Sequence, residues 1–227
     1  MSPTPNRVVE VLADEDAVAR RAADIVAASA REAIEGRGRF TFAVSGGRTP
    51  WAMFRELADE DVPWKQVGIW QVDERIAPDG DPDRNLTGLR PMIPSEADLR
   101  PMPVTGTDLE AAAARYAGSL PDVFDLVHLG MGDDGHTASL VPDDPVLEVT
   151  DRDVALTREY RGRRRMTLTY PVLDRSRRVL WLIAGDDKTP MLPRLLTGDE
   201  GIPAGRVSSS EQLVVVDDDA ASDLRRS

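Results

Sequence analysis

The chain has 227 residues, 41% of them hydrophobic, and 28 Lys plus Arg against 40 Asp plus Glu give a net charge of −12. That size suits a single α/β domain, read over residues 1–227, with enough apolar side chains for a full core. So acidic a surface speaks against nucleic-acid and membrane partners, and the absence of cysteine excludes disulfides, thiolate nucleophiles and Cys-based metal sites.

No apolar run approaches the roughly 18 residues of a membrane span. The opening Met1-Ser2-Pro3-Thr4-Pro5-Asn6 lacks the basic and apolar regions of a secretion leader. The expectation is a cytoplasmic protein, monomeric or weakly dimeric.

In chain order, Arg7 to Leu12 reads as a strand, followed by an Ala-rich amphipathic helix from Asp14 to Glu35 that Gly36 and Gly38 end. Phe40 to Val44 is a second strand, and Thr49-Pro50 reads as an N-cap with proline at the first helical position. Val67 to Val72 is a third strand, Asp79 to Asn85 a polar loop, and Asp108 to Leu120 a second Ala-rich helix. Phe124 to Leu129 is continuously apolar, as a strand buried on both faces would be. Arg165 to Tyr170, Val179 to Ala184 and Gln212 to Val216 complete the strands. This alternation predicts a mostly parallel, Rossmann-like doubly wound sheet with helices on both faces. A small additional β-containing portion is expected beside it.

Four polar clusters directly follow strands: Ser45-Gly46-Gly47, Asp73-Glu74-Arg75, Gly130 to His136, and Gly185-Asp186-Asp187-Lys188. The carboxyl ends of parallel strands line the ligand crevice, so one site built from four loops is expected. An anionic substrate for so acidic a chain requires basic residues gathered there. Ser45-Gly46-Gly47 is either an ordinary strand-to-helix turn or a backbone cradle for phosphate, helped by the helix dipole. Gly130-Met131-Gly132-Asp133-Asp134-Gly135 matches the dinucleotide spacing G-x-G-x-x-G. Asp133 and Asp134, however, stand where a pyrophosphate needs neutral donors, so that reading is rejected.

Of two histidines, His128 lies inside an apolar strand and reads as a hydrogen-bonded core residue, whereas His136 lies on a crevice loop. An imidazole titrating at about 6.5 accepts a proton from water at neutral pH. Asp134 or Asp73 would orient it. Arg75 and Lys188 are the leading phosphate partners, with Arg165 a weaker one; Arg161, Arg163 and Arg164 read as a solvated face. Ser45 and Ser139 lie outside any G-x-S-x-G elbow, so water rather than a serine is the expected nucleophile.

At SGGRTP, DER, GMGDDGHTASLVP, RMTLTYPVL and GDDK the sequence resembles the 6-phosphogluconolactonases, from about Arg7 to about Ala221. That resemblance implies the fold shared with glucosamine-6-phosphate deaminases and hydrolysis of a phosphosugar lactone in the oxidative pentose phosphate pathway. It also implies His136 as the base, with Asp134 and Asp73 completing the catalytic group. The substrate-binding set is then Ser45, Gly46, Gly47, Arg75, Asn85, Gly132, Arg165 and Lys188, with no cofactor and no metal. Two departures stand out: Arg48 and Arg84 replace serines usual in the family. Arg48 either strengthens phosphate binding or faces solvent. The deaminase branch carries Tyr at position 75 and an Asn-Glu pair after the histidine loop, both missing here. A non-catalytic sugar-phosphate sensor is the alternative of a different class.

Overall fold

The structure, a computed structural model, describes residues 6–224. The leader reading of the first residues falls largely on Met1–Pro5, outside the described residues. In chain order the elements are β1 (Asn6–Leu12), α1 (Glu15–Arg37), β2 (Phe40–Val44), α2 (Arg48–Leu57), β3 (Val67–Gln71), β4 (Asp73–Arg75), α3 (Asn85–Leu89) and β5 (Asp98–Arg100). There follow α4 (Leu109–Ala117), β6 (Leu126–Leu129), β7 (Val154–Leu156), β8 (Arg165–Leu168), α5 (Tyr170–Asp174), β9 (Val179–Ile183), α6 (Leu192–Thr197) and β10 (Glu211–Asp217).

Seven strands form a parallel sheet in the order β1-β10-β9-β6-β2-β3-β5, and β4-β8-β7 form a small antiparallel sheet. Every residue of β2, β3, β6 and β9 is buried, as expected of parallel strands covered on both faces. Alternate side chains supply two cores. Phe40, Phe42, Val44, Ile69 and Leu182 pack with α1 and α2 on one face. Ala43, Trp70, Val127, Trp181 and Ile183 pack with α4, α5 and α6 on the other. Among the described residues no helix is long and apolar enough to cross a membrane.

The structure amends several sequence expectations. Helix α1 runs through Gly36 and stops at Gly38. Helix α2 starts at Arg48 with Gly47 as its N-cap, at φ 135°. The Thr49 hydroxyl instead donates to Glu15 Oε1 at 3.0 Å, so the first-turn N–H groups have no side-chain cap. Helix α4 ends at Ala117, short of Leu120. Arg165–Leu168 joins the small sheet rather than the large one, and Tyr170 begins a helix with proline in its first turn.

Candidate active site

Strands β3, β2, β6 and β9 are successive neighbours, so all four polar clusters meet at one edge. They enclose a cleft of about 260 Å³. Ser45, Gly46, Asp73, Arg75, Asn85, Gly132, His136, Arg165 and Lys188 line it.

The chain leaves β6 through a tight loop closed by Gly132 N–H donating to the His136 carbonyl at 2.8 Å. His136 Nδ1 lies 2.6 Å from Asp134 Oδ1, which also accepts from the His136 backbone N–H at 3.1 Å. Asp134 Oδ2 accepts from the Tyr160 hydroxyl at 2.7 Å. Burial pushes the Asp134 carboxyl up, but the hydrogen bonds from His136 and Tyr160 outweigh it and bring it to about 2. Asp134 is therefore ionised at neutral pH and accepts a hydrogen bond from Nδ1–H, which leaves Nε2 as the basic nitrogen. No described residue hydrogen-bonds Nε2. A Cβ at Gly132 would overlap His136 Nδ1, so the close approach of loop and ring requires glycine there.

Asp73 makes a different set of contacts. Its Oδ2 accepts from the Ser139 hydroxyl at 2.5 Å and its Oδ1 from Asn85 Nδ2 at 3.3 Å. Geometry thus gives the orienting contact on His136 to Asp134, while Asp73 joins the Ser139 and Asn85 loops. Beneath them Glu74 is fully buried. Its oxygens accept from the backbone N–H groups of Arg75, Asn85 and Leu86, each at 2.8 Å, and from Gln71 Nε2 at 2.9 Å. Arg84, one of the two family departures, is buried with Nε 3.6 Å from Glu74 and an ion pair to Asp79.

Basic groups gather on one side. Arg75 and Arg165 are cross-strand partners between β4 and β8, so two guanidiniums project from the same face of the pair. Arg75 donates to Asn85 Oδ1 at 2.6 Å. Arg165 is buried, and its Nε has no hydrogen-bond partner. Lys188 adds a third cation, held to Asp187 at 2.7 Å. Arg161, expected on a solvated face, is exposed as read and also lines the cleft, pairing with Asp133 at 2.6 Å. Such a local excess of cations within an acidic chain suits an anion. Asp133, Asp134 and His136 place ligand atoms within 4.8 Å of one another; a divalent cation there would compete with Arg161 for Asp133 and with Tyr160 for Asp134.

Other expectations sort as follows. Gly47 and Arg48 are exposed and outside the cleft lining. His128 is a fully buried core residue, as read, and also supports the site: its Nδ1 accepts from the Ser45 N–H at 3.2 Å, and its carbonyl from the Ser45 hydroxyl at 3.1 Å. With the Ser45 and Ser139 hydroxyls committed to His128 and Asp73, neither is bonded to His136. Sequence reading missed the contact of Tyr160 with Asp134, the buried hydrogen bonds of Glu74 and the place of Arg161 in the cleft wall. The dense basic run at Arg161–Arg165 was the available signal for the last.

The family model for glucosamine-6-phosphate isomerases/6-phosphogluconolactonase matches residues 13–216. The chain is 34% identical to the 6-phosphogluconolactonase of Synechocystis sp., over 96% of this chain and 98% of that one. It is 32% identical to the 6-phosphogluconolactonase of Streptomyces coelicolor, over 100% and 97% of the two. A crystal structure of a 6-phosphogluconolactonase from Shewanella baltica superposes with a TM-score of 0.85 at 27% identity, covering 93% of this chain and 97% of that one. The chain belongs to the glucosamine-6-phosphate isomerase/6-phosphogluconolactonase family.

Proposed function

We propose that the protein hydrolyses 6-phospho-D-glucono-1,5-lactone to 6-phosphogluconate, acting in the cytoplasm, with His136 as general base. The observation that carries this reading is the pairing, in one cleft, of an Asp134–His136 dyad with the opposed guanidiniums of Arg75 and Arg165. A phosphorylated, neutral-ring electrophile needs both.

The phosphate lies against Arg75, Arg165 and Lys188, as charge-assisted and bidentate donors favour. That anchor fixes the lactone carbonyl near His136. A water between them attacks the carbonyl carbon while its proton passes to Nε2. Asp134 stabilises the imidazolium that results. The tetrahedral intermediate then collapses, the bond from the carbonyl carbon to the ring oxygen breaks, and Nε2 returns the proton to that oxygen. The product is an open-chain carboxylic acid with a new hydroxyl. General base assistance of this kind is worth roughly 10² to 10⁴ in rate.

The test compares three substrates. The phosphorylated lactone is expected to turn over at least roughly 10²-fold more efficiently than the unphosphorylated lactone, because losing the phosphate leaves the buried Arg165 without its anion. Equal rates would contradict the phosphate anchor. Ammonia release from glucosamine 6-phosphate would replace the hydrolytic reading with the deaminase one.

A further inference from the structure

We propose that Tyr160 is a positioning residue of the proton relay: its hydroxyl pins Asp134, and through Asp134 it sets the His136 ring with Nε2 free for water. This rests on the hydrolytic reading of the cleft.

Tyr160 opens a two-residue turn. Its backbone pairs with Arg163, N–H to carbonyl at 3.0 Å and the reverse at 3.3 Å. Between them Arg161 and Gly162 both have positive φ, 51° and 78°, the primed pattern that suits a tight hairpin. Glycine accepts that geometry freely, whereas an arginine does so under strain. The strained residue is held by its own side chain: Arg161 pairs with Asp133, and its guanidinium lies 5.1 Å from the Tyr160 ring centroid. Arg165 lies against the same ring, also at 5.1 Å. Two cations thus hold the ring, which meets His136 edge to face at 5.4 Å.

So held, the hydroxyl is aimed at Asp134 Oδ2, 2.7 Å away. It also lies 3.4 Å from His136 Nδ1, but that nitrogen's proton is on the Asp134 side, so Asp134 is its acceptor. An aspartate's terminal torsion is broad. Two contacts from His136 to Oδ1 alone would let the carboxylate turn; a third, on Oδ2, removes that freedom. Burial and the neighbouring Asp134 carboxylate push the Tyr160 hydroxyl up to about 12, so it stays a donor wherever His136 is a base.

Tyr160→Phe removes the hydroxyl and keeps the ring with its guanidinium contacts. We expect kcat to fall about tenfold with KM for the phosphorylated lactone within about twofold. In an Asp134→Asn background the same change should then do nothing further, because Tyr160 acts through Asp134. Losses that multiply in the double variant, or a loss confined to KM, would overturn the proposal. A readout independent of turnover is the imidazole nitrogen spectrum, simple to assign in a chain with two histidines. The downfield His136 Nδ1–H signal of the wild type should broaden or move upfield in Tyr160→Phe. If wild type shows no lactone hydrolysis, the hydrolytic reading fails, and the spectrum alone decides Tyr160: an altered signal supports the pin and an unchanged one removes it. Full activity and an unchanged spectrum in a folded Tyr160→Phe protein would make Tyr160 merely a wall of the cleft.

Discussion

Glu74 carries no substrate, yet it holds the floor of the cleft together through three backbone N–H groups and Gln71. Glu74→Ala leaves those donors unpaired and the buried Arg84 with Asp79 alone. Breaking such a buried set costs about 3–5 kcal/mol, to be read from urea unfolding, and a loss under about 1 kcal/mol would contradict the assignment. His128 makes a second residue-level prediction. Burial holds its imidazole down at about 3, while the unfolded chain protonates it at about 6.5. Its folded value is depressed, so between those limits the unfolded state binds more protons and stability falls as pH drops from about 6.5 toward 3. Urea midpoints at pH 7.5 and 5 should therefore separate more for wild type than for His128→Gln, and equal separations would refute the argument. Sequence made Arg75 and His136 legible as candidates because each lies in a polar cluster that follows an apolar strand. Glu74 stayed hidden, since a carboxylate bonded to backbone N–H groups up to 12 residues away leaves no spacing pattern.

Among elements, the short pair β4–β8 matters most to the proposed phosphate anchor, because it sets Arg75 opposite Arg165. Like charges directly across an antiparallel pair repel, and an anion between them relieves this. Inorganic phosphate is expected to raise the melting temperature of wild type, by the usual linkage of a ligand to the folded state. Arg165→Gln should melt no lower without phosphate and should lose most of the phosphate-induced rise; an undiminished rise would place the anion elsewhere. The sequence showed Arg165 opening a strand but not which strand it faces, since β4 is three residues long and carries no readable period. Helix α2 misled for a related reason. Thr49-Pro50 has the composition of a cap, but Gly47 adopts a φ of 135°, which lets the helix begin earlier and frees Thr49 for Glu15.

At the scale of the molecule, the parallel sheet does the organising: four neighbouring strands deliver four loops to one edge. Alternation of strands with helices made the fold class readable, and continuous apolar runs marked the inner strands. Strand order was not readable. Strands β1 and β10, at opposite ends of the chain, pair over seven residues, and no local pattern encodes that neighbour. The central claim is that this edge is a lactone hydrolase working through His136. Its most direct test follows 6-phosphoglucono-1,5-lactone, generated in place, with wild type and His136→Ala side by side against spontaneous hydrolysis. The account predicts rapid loss with wild type and a fall of roughly 10² to 10⁴ in rate with the variant. Wild-type rates from a folded His136→Ala protein would contradict the base, and background rates from both would contradict the hydrolase.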